Sequence, residues 1–99
     1  MDENQDNLNI LRVIGNKPNA SQRKLAKELG FSLGKLNYCL KALKEKGLIK
    51  IENFKKNPNK LNYIYVLTPI GLKEKSRLTI NFMKKKMEEY DQLKSEISE

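Results

Sequence analysis

The sequence predicts a mainly α (α+β) fold in which three short helices precede a β-hairpin and one long C-terminal helix. Leucine and isoleucine recur at helical spacing through the first half of the chain. Two runs rich in β-branched and aromatic residues then flank a stretch of Asn, Pro and Lys, as in a hairpin. Thr68 and Pro69 open the last helical segment, because Thr favours the N-cap and Pro the first helical position.

The first two helices are bounded by residues that favour helix ends. The first is expected over residues 6–15, where Gly15 and Asn16 end an apolar pattern. The second is expected over residues 22–29, with Ser21 as its N-cap and Gly30 as the left-handed residue after it. The positions predicted to face the core are Leu8, Ile10, Leu11, Ile14, Leu25, Ala26 and Leu29.

The third helix is expected over residues 33–46, between Ser32 as N-cap and Gly47 as the closing glycine. Its predicted buried stripe consists of Leu36, Leu40 and Leu43. Cys39 borders this stripe and is interpreted as a small core residue. The alternative, a redox-sensing thiol, requires an exposed thiolate.

The hairpin is expected from strands at residues 48–51 and 61–67. Pro58 and its neighbouring asparagines mark the turn between the strands. The same stretch carries Lys55, Lys56 and Lys60, so the hairpin has a basic tip.

The last helix is expected from residue 69 to about residue 95 or further, roughly 40 Å at 1.5 Å per residue. A helix of that length extends beyond so small a domain. Its distal apolar residues follow coiled-coil spacing, and we call them the seam. Lys94 occupies one position of this spacing where an apolar residue is usual. The seam residues, which we predict to form a dimer interface, are Ile80, Met83, Met87, Tyr90, Leu93 and Ile97. The off-seam residues Leu72, Leu78 and Phe82 are expected to pack back onto the domain; packing of the seam itself within one chain is the alternative.

Composition points to a polyanionic partner. The formal net charge is +8, and residues 32–60 carry eight lysines against two acidic residues. DNA, RNA or an acidic membrane surface would fit this charge. The polar, acidic first residues and the lack of a long apolar run predict a cytoplasmic protein, which would be nucleoid-associated if its partner is DNA. One cysteine and no histidine are too few for a structural zinc site or a Cys/His nucleophile pair, so neither cofactor nor metal is expected.

The order of helix, short glycine turn, helix and basic hairpin is that of a winged helix-turn-helix. There the second helix of the pair lies in the major groove, where Asn can pair with adenine and Lys with guanine. The outward face predicted to read bases carries Leu33, Gly34, Lys35, Asn37, Tyr38 and Lys41. Predicted phosphate or minor-groove contacts are Ser21, Gln22, Arg23, Ser32, Lys55, Lys56, Asn57 and Lys60. Residues 1–68 are thus expected to bind DNA and residues 69–99 to dimerise.

Plainer interpretations exist for several of these residues. A lysine-rich helix face is often only solvated, and the two serines can act as caps alone. Tyr38 can pack over the domain edge instead of contacting DNA. The combination of basic helix and basic hairpin favours the DNA interpretation over these.

Residues 21–50 resemble the DNA-binding core of the MarR superfamily. The segments "LAKELGFS", "LKALKEKGLI" and "LTPIGLKEK" are most similar to the small exopolysaccharide (EPS)-associated MarR-like transcriptional regulators of bacteria. The likeness covers about residues 6–97. It implies a homodimeric transcription factor, a repressor, with its recognition residues on the outward face defined above. Typical members have extra helices at both ends that frame a ligand pocket, whereas only one helix follows the hairpin here, so a small-molecule effector is left open.

Four rival functions stand beside this one. A winged-helix protein–protein interaction module would tend to lose the lysines that are present here. A nonspecific nucleic-acid binder would keep the charge and lack sequence preference. RNA recognition lacks an aromatic stacking platform, and an enzyme lacks a phosphate loop or a catalytic pair.

Overall fold

The computed structural model describes residues 3–17, 20–53 and 63–98, which form four helices and a two-stranded antiparallel hairpin. The elements are α1 (Glu3–Asn16), α2 (Gln22–Leu29), α3 (Leu33–Glu45), β1 (Ile49–Asn53), β2 (Tyr63–Leu67) and α4 (Pro69–Ser98). This order confirms the predicted fold class.

The predicted helix caps are present. The Ser21 hydroxyl accepts a hydrogen bond from the Lys24 amide at 3.3 Å, and the Ser32 hydroxyl accepts one from the Lys35 amide at 3.1 Å. Gly30 has φ of 71°, the left-handed conformation that glycine adopts without a Cβ clash. These caps fix where α2 ends and α3 begins, and hence the short turn between them.

Several predicted boundaries shift by a few residues. Helix α1 begins at Glu3 rather than Asp6, because both carboxylates lie in its first turn and complement the positive end of the helix dipole. Helix α3 ends at Glu45, one residue before the predicted end. Strand β1 covers residues 49–53 instead of 48–51, while the predicted strand residues Leu61 and Asn62 lie outside the described residues.

One core joins α1, α2, α3, the hairpin and the first part of α4. The predicted core residues that are buried are Leu8, Ile10, Leu11, Ile14, Leu25, Ala26, Leu36, Leu40 and Leu43. Leu29 is only partly buried at the edge of this core. Leu78 is buried and Phe82 packs partly against the core, as predicted for these two off-seam residues of α4.

The prediction for Leu72 is wrong, since 54% of this side chain is exposed. The reason is the neighbouring Gly71, which is buried and turns its Cα toward the backbone of Leu48. Leu72 follows one residue later, about 100° further round the helix, and therefore lies in solvent.

The start of α4 is bonded to the segment that follows α3. The Thr68 amide donates to the carbonyl oxygen of Leu48 at 3.1 Å, and the Thr68 hydroxyl donates to the carbonyl oxygen of Gly47 at 2.6 Å. The same hydroxyl accepts from the Gly71 amide at 2.9 Å, which is the predicted N-cap of α4. We call this set of contacts among Gly47, Leu48, Thr68 and Gly71 the α4 junction.

The 30 residues of α4 span about 45 Å. Its first part packs against α1 and β2, and its distal part extends beyond the core. Within the described ranges, no helix has the length and apolar content needed to cross a membrane.

Substituting Gly71→Ala is expected to lower the free energy of unfolding by about 1–3 kcal/mol or more, the usual range for overpacking. A Cβ at Gly71 would stand 1.9 Å from the carbonyl oxygen of Leu48, so the α4 junction must open. Gly34→Ala is the matched control, because a Cβ at this helical glycine meets nothing within 4 Å. It should be neutral or stabilising by at most about 1 kcal/mol. Urea denaturation of both variants measures the difference, and equal stabilities would contradict the importance of the junction.

Candidate nucleic-acid interface

One face of α3 is exposed and polar. Tyr38 is 77% exposed and Leu33 44% exposed, and Gly34, Asn37 and Lys41 are also on the surface. The buried stripe of α3 lies on the opposite side, so these five residues share one outward face. Asn37, Tyr38 and Lys41 make no hydrogen bond or ion pair with the rest of the described chain. Their polar atoms are therefore available to an external partner.

Lys35 lies at the edge of this face and has partners of its own. Its ammonium lies 3.3 Å from a carboxylate oxygen of Asp6 in α1 and 4.1 Å from the ring centre of Phe31. Such half-exposed ion pairs and cation–π contacts are individually weak, but together they hold the amine at the border between α1 and α3. Sequence reasoning missed both partners, because Asp6 is distant along the chain and Phe31 precedes the helix.

The polar residues at the start of α2 have different surroundings. Gln22 is half-buried, and its side-chain amide donates to the hydroxyl of Tyr65 in β2 at 2.6 Å. Arg23 is exposed. Ser21 and Ser32 use their oxygens as cap acceptors, which leaves each hydroxyl proton able to donate to a further acceptor such as a phosphate.

A shallow groove runs between α3 and the hairpin. Leu40, Ile51 and Tyr65 supply its apolar walls, and Asn37, Lys41 and Lys44 line it beside Gln22. The hydrogen bond from Gln22 to Tyr65 ties α2 to β2 at this groove. Sequence reasoning did not single out Tyr65 or Lys44, since their place in the groove depends on how the hairpin packs against α3.

The basic tip of the hairpin lies outside the described residues. This applies to the predicted contacts Lys55, Lys56, Asn57 and Lys60. At its base, β1 pairs with β2 from Ile49 opposite Leu67 to Asn53 opposite Tyr63. On the exposed part of β1, the ammonium of Lys50 lies 3.3 Å from a carboxylate oxygen of Glu52. The hairpin base therefore stands beside α3.

Cys39 is half-buried against the core, which agrees with its interpretation as a small core residue. Burial raises the pKa of its thiol, and the nearby carboxylate of Asp6 raises it further. The thiol is therefore protonated at neutral pH. No group of His, Cys, Asp or Glu within residues 3–17, 20–53 and 63–98 is arranged to hold a metal ion.

The seam lies on the exposed side of α4. Its six residues are between 53% and 85% exposed, an unusual amount of apolar surface for one helix. The face with Leu78 and Phe82 packs toward α1 instead, so α4 has one side for the core and another for solvent.

Residues 7–50 match a family model described as winged helix-turn-helix DNA-binding. No curated protein matches the chain in sequence. Among solved structures, the PcaV transcriptional regulator from Streptomyces coelicolor matches with a TM-score of 0.71 and 18% identity. This match covers 80% of the present chain and 57% of PcaV.

Two other matches concern ligand-bound and DNA-bound proteins. Staphylococcus aureus MarR in complex with salicylate and kanamycin has a TM-score of 0.71 and 22% identity, over 87% of the present chain and 56% of that protein. Streptococcus pneumoniae FabT in complex with DNA has a TM-score of 0.67 and 26% identity, over 87% of the present chain and 58% of FabT. The chain thus spans somewhat more than half the length of these proteins. It has the winged helix-turn-helix fold of known transcription regulators, which gives no support to an enzymatic function.

Alkylation of Cys39 in the folded protein is expected to be slower at pH 8 than that of a free cysteine, because only the thiolate reacts and the raised pKa keeps it scarce. The rate should rise with pH to a midpoint above the pKa of an ordinary thiol. Asp6→Asn should lower that midpoint, since it removes a negative charge that opposes thiolate formation. Asp91→Asn, on the distal part of α4, is the control and should leave it unchanged. Reaction as fast as that of a free cysteine at neutral pH would instead favour a reactive thiol.

Proposed function

We propose that this chain is a sequence-specific, double-stranded-DNA-binding transcriptional regulator of the MarR superfamily that acts as a homodimer. The observation that carries the proposal is the outward face of α3, where Asn37, Tyr38 and Lys41 are exposed and make no hydrogen bond or ion pair within the described chain. The match of residues 7–50 to a DNA-binding family model supports it, and so does the likeness to FabT, which has been captured on DNA.

In the proposed complex α3 lies in the major groove. Asn37 and Lys41 contact base edges, where Asn suits adenine and Lys suits guanine. Leu33 reaches a thymine methyl group, Gly34 allows close approach of the helix end, and Tyr38 donates to a base or phosphate. Direct base reading thus rests on a short stretch of one helix.

The remaining contacts are assigned to the DNA backbone. Arg23 and the N-terminal amides of α2 and α3, with Ser21 and Ser32, hold phosphates on either side of the groove. Lys35, which belongs to the predicted base-reading face, is bonded to Asp6, and Gln22 is bonded to Tyr65. A base contact of Lys35 or a phosphate contact of Gln22 therefore requires exchange of these partners. The hairpin tip, with Lys55, Lys56, Asn57 and Lys60, lies along the minor groove or backbone.

We further propose repression as the mode of action, on the basis of the resemblance to EPS-associated MarR-like regulators. Bound at an operator, the protein would be nucleoid-associated and block access to the promoter. In this division of labour residues 1–68 form the DNA-binding domain and residues 69–99 the dimerisation helix. Dimerisation gives a two-fold symmetric reader, so operator half-sites about one helical turn apart are expected.

Asn37→Ala is expected to reduce the preference for the operator over a variant site by about 1–3 kcal/mol, the value of one bidentate base contact. The operator is first obtained by selection from random duplexes, and affinities are then measured by fluorescence anisotropy. Arg12→Ala is the control: Arg12 is an exposed basic residue of α1 that is not among the proposed contacts, so its replacement should leave the preference intact.

Affinity should also fall steeply with salt concentration, because phosphate contacts release counterions. Equal affinity for all sequences would reduce the protein to a nonspecific binder. Failure to bind DNA at low salt would favour the protein–protein interaction module.

Met87→Glu is expected to convert the dimer to monomers in sedimentation velocity, because it places two buried carboxylates in the seam interface. Leu72→Glu is the matched control, since Leu72 is an exposed apolar residue of the same helix that lies off the seam. It should remain dimeric. Operator affinity should drop for Met87→Glu alone, since its two reading domains are no longer linked. Dimers in both variants would place the interface elsewhere.

A further inference from the structure

The charges on the exposed part of α4 are distributed unevenly along the helix, in addition to the division between its apolar and polar sides. Lys84, Lys85 and Lys86 form a basic block, and the next turn carries Glu88, Glu89 and Asp91. The exposed seam runs past both blocks. A second helix lying on the seam therefore meets a positive end and a negative end, and its direction decides which charges come together.

We propose that two copies of this chain pair along the seam with their α4 helices antiparallel; this rests on the proposed homodimer and specifies its geometry. In this register Ile80 lies against the partner's Ile97, and Met87 against the partner's Tyr90. The interface row of this register consists of positions 80, 83, 87, 90, 94 and 97, with Lys94 in the row and Leu93 of the seam at its flank. The row is complementary to its own reverse, because its steps of three, four, three, four and three residues read the same in both directions.

Lys94 decides between the two directions. In a parallel pair, residues of equal number share a layer, so two Lys94 ammonium groups would meet at the centre of the interface. In the antiparallel pair Lys94 lies against the partner's Met83, and the two lysines are separated by about eleven residues, or roughly 16 Å along the helix. The aliphatic stem of Lys94 then covers the thioether while its amine reaches solvent.

The charges that flank the seam agree with this direction without deciding it alone. The antiparallel pair sets Lys84 beside the partner's Asp91, whereas a parallel pair would set Lys86 beside Asp91. Either pair is exposed and weak. However, a parallel pair also places the basic block of one helix beside the basic block of the other. Its two helix dipoles point the same way, whereas those of the antiparallel pair point in opposite directions, which is the favourable arrangement.

The proposed overlap uses the whole exposed part of α4. Residue 79 lies opposite the partner's residue 98, so about 20 residues, or roughly 30 Å, are in contact. The overlap ends where Leu78 turns into the core of its own domain. The two proposed DNA-binding domains (residues 1–68 of each copy) consequently lie at opposite ends of the helix pair.

Cysteine cross-linking tests this direction. In a Cys39→Ala background, Ile80→Cys and Ile97→Cys are prepared separately, oxidised alone and oxidised after mixing under reducing conditions. A disulfide requires Cα atoms within about 7 Å. In the antiparallel pair equal positions are about 25 Å apart. The mixture should therefore give at least about tenfold more covalent dimer than either variant alone.

Sedimentation of the same reduced samples separates the two levels of the proposal. Covalent dimers from each variant alone would show a parallel pair, which overturns the direction but keeps the homodimer. If the samples sediment as dimers but form no cross-link, the proposed register, in which Ile80 lies against the partner's Ile97, would be overturned. Monomers throughout would overturn the homodimer itself, and the seam would then belong to another partner.

Discussion

The orientation of α4 relative to α3 depends on one close contact, that of Gly71 with the carbonyl group of Leu48. Leu48 directly follows the end of α3 and precedes β1, so α4 is fixed against the point where helix and hairpin meet. The hydrogen bonds of Thr68 to Gly47 and Leu48 hold this contact in register. Along the chain the proposed reading face precedes the junction and the seam follows it, so the junction links the two.

Local signals in the sequence predicted most of the fold. Ser21, Gly30 and Ser32 determine helix ends through bonds to residues three or four positions away, and such bonds are visible as short motifs. The buried stripes followed from helical periodicity, because each apolar residue must find the core on the same side. Thr68 was predicted as a cap for the same local reason, although its bond to Gly47 was not.

Contacts between residues distant along the chain could not be predicted from the sequence. Gln22 and Tyr65 are 43 positions apart, and nothing in either neighbourhood marks them as partners. The ion pair of Lys35 with Asp6 likewise depends on how α1 crosses α3. Leu72 was misplaced because helical spacing cannot show that its neighbour Gly71 is the residue in contact with Leu48. The direct partners of the proposed site are therefore the part that required a structure.

These internal bonds sharpen the proposed function. In the proposed complex Lys35 is already bonded to Asp6, so base discrimination is assigned mainly to Asn37 and Lys41, and specificity would depend on how accurately two copies of α3 are spaced. In the proposed antiparallel pair the two Leu78 residues lie about 32 Å apart along the helix axes, near the roughly 34 Å of one DNA turn. A rigid helix fixed at the α4 junction can maintain such a spacing, whereas a flexible linker could not. In the proposed dimer, the closeness of Gly71 to Leu48 would thus bear on DNA recognition as well as on stability.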